Sequence, residues 1–594
     1  MKTKFLCLLL GIIMMLAVLT GCSEDDTSLD DIANEAVRET QTLVVYLMSE
    51  TEVSEQTAAE IEEAINRLTK AKYKTQLDLN FFTEDEYYQA LEKKFKGKEK
   101  EIKKAERELA ERRKKEKEIR ESCKAAGISY VASTTAKAET VITEAQTLVN
   151  QEYGTIEYVY PEAGENQLDF FYLGGYDKYI EYRDNEWIAA LDEELVTTSK
   201  KLEEHIPGIY MNNLNRNKEG VYGIPNSNVV GSYTWMLLDK ELMDEFSFAE
   251  NDIQDFFTTG NGENLYRYLN DVSQAYPEVT TVAGTPEVGN VYYWTVGGDT
   301  PRLTNQPSIL GFSFNNDVKL GKGSFPTVDS IFYNKRYQEQ ALAIKKLEAA
   351  GFIDEYVAPF AEKAAVTFVK GGYDIYAENA YDKVNNPDGK YYVKMLEAPR
   401  AGVEDIFQHM FCVNQLEDNV ARCMEIITYI NTNAEARNIM QYGVEGENYY
   451  IDDDGVLHRY NETYMMDINK TGNVFMAHPE EGLAADYWNY GIKQNADALI
   501  DPLYNLDLGY DQAVDTEAIG RLQALYGEYI ERMNACTTVE ELNSFFKTAN
   551  AELMQNEDYN WVLKKAYEPV DEEDPVPFGT IYWTWVVDNG WNIE

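Results

Sequence analysis

The sequence predicts an α/β protein of two or more lobes, and three observations carry that expectation. Short apolar runs with strand patterning alternate along the chain with stretches of helical periodicity. The first of them compose a strand–helix–strand opening, which points to a right-handed parallel crossover. The 594 residues also exceed what one hydrophobic core organises.

Residues 41–48 (QTLVVYLM) read as a buried strand. Residues 52–72 carry Val53, Ala59, Ile61, Ile65 and Leu68 at helical spacing, and 77–82 (LDLNFF) alternate as a second strand. Residues 93–124 then interrupt the pattern. With 15 Lys or Arg against 8 Asp or Glu, this window is +7 while the remainder is -56. Having no proline, it predicts a solvated helix laced with Glu/Lys pairs, alone or as one arm of an antiparallel hairpin. Further strand patterns occupy 167–173 (QLDFFYL), 233–238 and 365–369. Helical spacing recurs at 239–246, 337–350 and 417–431, and no internal repeat stands out.

The N-terminus has its own grammar. Lys2 and Lys4 precede an apolar run over 5–18 that closes on Leu19, Thr20, Gly21 and Cys22. Those are the parts of an export signal, and the run is shorter than the roughly 20 residues of a spanning helix. Residues 22–40 are acidic and polar, a composition that forms a tether rather than a core.

The net charge of -49 repels nucleic acid and anionic lipid, so neither is an expected partner. After Cys7 and Cys22, the remaining cysteines (Cys123, Cys412, Cys423, Cys536) lack CxxC spacing, and no disulfide framework, metal or cofactor is expected. The 43 tyrosines and 8 tryptophans favour polar, ring-shaped ligands. The sequence carries no HExxH, GxSxG, phosphate-loop or dinucleotide spacing. An enzyme is therefore not expected, and a surface-anchored glycan hydrolase or an adhesive lipoprotein stand as alternatives. The run Asp452-Asp453-Asp454-Gly455 suits a hairpin turn better than a calcium loop, because Tyr450 falls where an oxygen ligand is needed.

Four stretches give the chain a resemblance to the extracellular solute-binding lipoproteins of bacterial ABC importers, the sugar-binding family 1 type, in their large gut-Firmicute form. The Leu19-Thr20-Gly21-Cys22 end resembles a lipobox, followed by its acidic tether. Residues 169–177 (DFFYLGGYD) with 186–192 (EWIAALD) look like the family's strand and ligand loop. Residues 220–225 (GVYGIP) resemble the approach to the first hinge strand. Residues 442–449 (YGVEGENY) with 452–455 are similar to the family's hairpin.

The resemblance implies a two-lobe, periplasmic-binding-protein-like fold of type II with hinge strands and lobe closure on binding. It divides the chain into a signal peptide (1–21), tether (22–40) and first lobe (41–228) bearing the helical insertion at 93–124. The second lobe follows (229–364), then a return to the first (365–412), and 413–594 is mostly second lobe with C-terminal helices. It also implies a monomer whose partners are a carbohydrate or other small solute, ABC permease subunits, and the membrane through lipid on Cys22.

The expected ligand contacts are Tyr176, Asp177, Tyr233, Trp235, Trp488 and Tyr490. Asp177 follows two glycines at a strand end, where a carboxylate can accept two sugar hydroxyls, and Tyr176 beside it offers a ring face. Tyr233 and Trp235 share one face of their strand, which either lines the cleft or packs the second core. Trp488 and Tyr490 lie in an aromatic stretch with the same two readings. Trp294, Trp583, Trp585 and Trp591 are assigned to core or surface.

Overall fold

A computed structural model of the chain describes residues 39–125, 147–149, 156–215, 220–249, 252, 263–284, 292–297, 300–304, 309–313, 327–353, 363–371, 389–500 and 516–567. The expected signal segment, Cys22, nearly all of the tether, and Trp583, Trp585 and Trp591 lie outside these residues.

The chain opens with β1 (Gln41–Ser49), α1 (Glu55–Tyr73) and β2 (Thr75–Thr83). Ser54 starts α1 by accepting from Thr57 N at 3.1 Å, and Ile61 and Ile65 bury its inner face. β1 and β2 pair in parallel from Gln41↔Thr75 to Ser49↔Thr83, the expected crossover. A 42-residue helix, α2 (Glu84–Ala125), follows directly, so the basic window is no separate insertion but the continuation of a helix that begins in lobe 1. β3 (Phe170–Leu173), α3 (Tyr176–Asp184) and β4 (Ile224–Pro225) come next.

The second lobe holds β5 (Tyr233–Asp239), α4 (Glu263–Ala275), β6 (Thr280–Ala283), α5 (Lys335–Ala349), β7 (Ala364–Gly371) and β8 (Tyr391–Glu397). The chain returns with β9 (Met410–Val413), α6 (Val420–Thr432), α7 (Ala434–Tyr442) and a hairpin of β10 (Tyr449–Ile451) and β11 (Leu457–Arg459). Then come α8 (Tyr487–Asp497), α9 (Thr516–Asn534), α10 (Val539–Leu553) and α11 (Glu557–Tyr567).

Two sheets organise two cores. One runs in the order β2-β1-β3-β9-β4 and the other β8-β5-β7-β6. The first core takes in β1, β3, β9, α6 and the buried side chains Tyr87, Leu91 and Phe95 of α2. The second gathers Met236, Leu238, Val366 and Phe368 against Leu265, Leu269 and Leu347 of α4 and α5. Phe332 is packed by Tyr529 of α9 and Phe545 of α10.

Two expected boundaries are corrected. The return to the first lobe was expected over 365–412, yet Ala364–Gly371 pairs with β5 and β6, and β8 pairs with β5, all in the second sheet. The return comes only at β9, which lies between β3 and β4. Likewise α6 and α7, inside the expected second-lobe stretch 413–594, pack in the first core. An apolar strand pattern reports burial but not which sheet does the burying.

Candidate functional site at the lobe junction

The strand directions put five chain turns on one edge of the first sheet. β1, β2 and β3 are parallel, so Ser49, Thr83 and Gly174 end together. β9 is antiparallel to β3 and β4, which brings His409 and Asn226 to that edge. Asn226 N donates to His409 O at 2.9 Å. In α/β sheets the crevice beyond the strands' carboxyl ends is where ligands bind.

The chain passes between lobes three times at this edge, through residues 226–232, 398–409 and 471–486. The three passages are knitted together. Val474 N donates to Ser227 O, and Leu499 N to Pro399 O, both at 2.9 Å. Gln494 Nε2 of α8 donates to Val230 O and Gly231 O at 2.6 and 2.9 Å. Asn495 accepts from Val230 N at 3.0 Å and donates to Asn228 O at 2.8 Å. Gly231 has φ 59, and a Cβ there would stand 2.6 Å from Arg400 O. Only glycine lets the first two passages lie this close.

Asn226 and Ser227 are the candidate contacts that sequence reasoning missed. Both side chains are buried, and Asn226 Oδ1, Asn226 Nδ2 and Ser227 Oγ have no protein hydrogen-bond partner. Leaving such groups unmet costs about 1–3 kcal/mol each, so water or a ligand hydroxyl is called for. The signal was present as a small polar run, Asn226-Ser227-Asn228, immediately after the GVYGIP strand approach.

His409 stands beside them. Its Nδ1 is 2.7 Å from the Tyr172 hydroxyl, and burial pulls its pKa down to about 4 against the opposing pull of Asp467. Lys470 lies over the Tyr172 ring at 5.8 Å and adds to the lowering. Burial also drives the Tyr172 hydroxyl well above its ordinary range. The imidazole is therefore neutral at physiological pH, a hydrogen-bonding group rather than a charge.

The expected ligand residues divide between crevice and core. Asp177 is exposed on the first turn of α3, just beyond Gly174 and Gly175. Gly175 takes φ 88 and donates to Phe407 O and Gln408 O, which fixes that loop against the second passage. Tyr176 is buried instead, its ring against Tyr179 (6.2 Å) and Phe407 (5.2 Å). That corrects its expected role as an open ring platform.

Tyr233 and Trp235 do share one face, and it packs a separate small cluster on the side of the second sheet opposite Met236 and Leu238. Their rings stack at 5.0 Å beside Leu237, Val369 and Tyr490, and Tyr233 donates to Asp497 Oδ2 at 2.9 Å. Tyr490 is likewise buried there, donating to Asp486 at 3.2 Å. As ligand platforms these three are corrected to core, because α8 covers that face. Trp488, from the same helix, is half-buried against the Tyr442, Tyr449 and Leu457 cluster of lobe 1, with Phe475 edge-on at 6.3 Å.

The acidic run forms a turn. Asp452 accepts from Asp454 N and Val456 N at 3.0 and 2.9 Å, and Gly455 takes φ 85. Among the described residues there is no group of three His, Cys, Asp or Glu placed to hold a metal ion. Cys412, Cys423 and Cys536 are free thiols. No helix among the described residues is long and apolar enough to cross a membrane.

No family model matches this chain, and no curated protein does. Among solved structures, the N-glycan transport solute binding protein of Streptococcus pneumoniae is 15% identical, over 93% of this chain and 100% of its own, with a TM-score of 0.49. An extracellular solute-binding protein family 1 from Alicyclobacillus acidocaldarius is 9% identical over 87% of this chain and 100% of its own, TM-score 0.38. The HMO-binding, ABC-transporter-associated solute binding protein of Bifidobacterium longum infantis is 11% identical over 89% and 98%, TM-score 0.37. At these values the likeness carries no weight here, and the two-lobe description rests on the sheets and passages above.

Proposed function

We propose that the chain is a lipid-anchored extracellular solute-binding protein, which holds an oligosaccharide between its lobes and hands it to an ABC importer. The observation that carries this reading is the meeting of three inter-lobe passages at the crevice edge of the first sheet. A cleft bridged by a few chain passages closes as a hinge. Its floor offers Asn226 and Ser227 with unmet polar atoms, and its rim offers Asp177. Amide, hydroxyl and carboxylate are the groups that match sugar hydroxyls. Export signal, Cys22 and tether supply the address and the attachment. A tethered receptor stays at high effective concentration beside its importer.

The test is a thermal-shift panel of N-glycan fragments and milk oligosaccharides, followed by chromatography of the recovered sugar. One class should raise Tm in proportion to ln(1 + [L]/Kd) and return unchanged. Cleaved sugar would establish a hydrolase instead. No shift with any glycan would remove the carbohydrate assignment. Radiolabelled acyl incorporation that disappears in Cys22→Ser checks the anchor.

A further inference from the structure

α2 belongs to lobe 1 for its first half only. Tyr87, Leu91 and Phe95 are buried, Lys98 pairs with Glu417 at 2.7 Å, and Glu99 accepts from Trp187 Nε1 at 2.9 Å. Glu101 accepts from Asn166 Nδ2 at 2.6 Å. From 103 to 115 every residue is exposed. At 1.5 Å per residue, the stretch 102–125 reaches about 36 Å past that last contact.

Its direction is fixed by its neighbours. α2 starts at the crevice edge, directly after Thr83, and runs back along the sheet. It leaves the body beside Asn166, whose neighbour Gln167 donates to Thr42 O at 2.8 Å. The projecting half therefore departs from the end where residues 22–40 feed into β1, opposite the crevice.

Its charge differs from that of the body. Arg112, Arg113, Lys114, Lys115 and Lys117 crowd one stretch, with Glu116 the single acid among them. The -56 of the remaining chain argues against anionic lipid only where its field reaches. At physiological salt that field decays over about 8 Å, well short of the helix's reach.

We propose that the projecting half of α2 docks on an anionic lipid surface, the membrane that holds the chain through Cys22. The choice of a membrane rests on the anchored reading above, which places this end of lobe 1 nearest the headgroups. Basic clusters on helices beside a membrane bind acidic headgroups electrostatically. The same headgroups repel the acidic body, so the chain stands off the surface with its crevice outward.

The experiment uses the chain from residue 22 onward with Cys22→Ser, which carries no acyl group. It is sedimented with vesicles of phosphatidylcholine alone and of phosphatidylcholine doped with phosphatidylglycerol. Binding is expected to the doped vesicles only, to vanish in high salt, and to weaken about fivefold for each of Lys114→Gln and Lys115→Gln. Equal binding to both vesicles, binding to neither, or indifference to the two substitutions overturns the proposal. So does salt-sensitive self-association without vesicles that the substitutions abolish, since the helix would then serve a second copy. A glycan-induced Tm shift retained in the variants shows that the crevice is intact. Failure of the vesicle arm beside a normal shift sinks this inference alone, and loss of every glycan shift sinks the binding reading alone.

Discussion

Asp169 is fully buried and accepts from Val44 N and Gln167 Nε2 at 2.7 Å and from Asn419 Nδ2 at 2.9 Å. Burial raises its pKa despite those donors. Asp177, at the other end of the same DFFYLGGYD stretch, is exposed. Asp169→Ala strands three donors and should cost about 3 kcal/mol in urea unfolding. Asp177→Ala should stay within about 0.5 kcal/mol of the parent while abolishing the ligand-induced Tm shift. Both acids were visible in the sequence, but only their burial distinguishes a stitch between strands from a rim group. In the sequence His409 is one of four isolated histidines, because its neighbours Tyr172, Asp467 and Lys470 are distant in sequence. Its folded pKa of about 4 lies below the ordinary 6.5. As pH falls from 6.5 the unfolded chain gains a proton that the folded chain refuses, so stability drops towards pH 4 and is flat above 6.5. Between pH 7 and pH 5, His409→Gln should lose about 2 kcal/mol less than the parent, measured by urea titration at each pH.

Gly231 sets the spacing of the first two passages. A methyl group there meets Arg400 O and N and sits on a left-handed backbone, so it pushes both passages apart. Gly231→Ala should destabilise by about 1–3 kcal/mol and weaken ligand binding, read by urea unfolding and isothermal titration. At this scale the sequence spoke clearly about strands and less clearly about company. The runs at 41–48 and 77–82 are strands, as their patterning implies, and of 167–173 the part Phe170–Leu173 is one. The pair Tyr233 and Trp235 shares a face, as alternation requires, yet period alone left two coverings open. The deciding element was α8, whose Tyr490 joins the Tyr233 and Trp235 cluster on the second sheet while Trp488 packs on the first-lobe cluster. Trp488 and Tyr490 lie two residues apart on a helix, so they point to different sides.

Two lobes were legible from length and alternation, whereas their boundaries were not. β4 pairs only with β9 in the first sheet, and β9 arrives only after all four strands of the second sheet have been laid down. Nothing local in the MFCV strand announces that distant pairing, since strand register over long separations is a tertiary choice. A chain stopped after residue 405 lacks β9, leaving β4 unpaired and β3 with one edge open. It should show strand and helix in the far ultraviolet but lose the near-ultraviolet aromatic signal and all ligand response. Recovery of both signals would mean that the first lobe closes without its late strand.

That late strand also governs timing. A sheet that needs β9 to join β4 to β3 cannot finish before residue 413 is in place, and a longer closing loop adds only slowly to the entropic cost. For the export proposed above, this order leaves the first sheet incomplete until residue 413 has crossed.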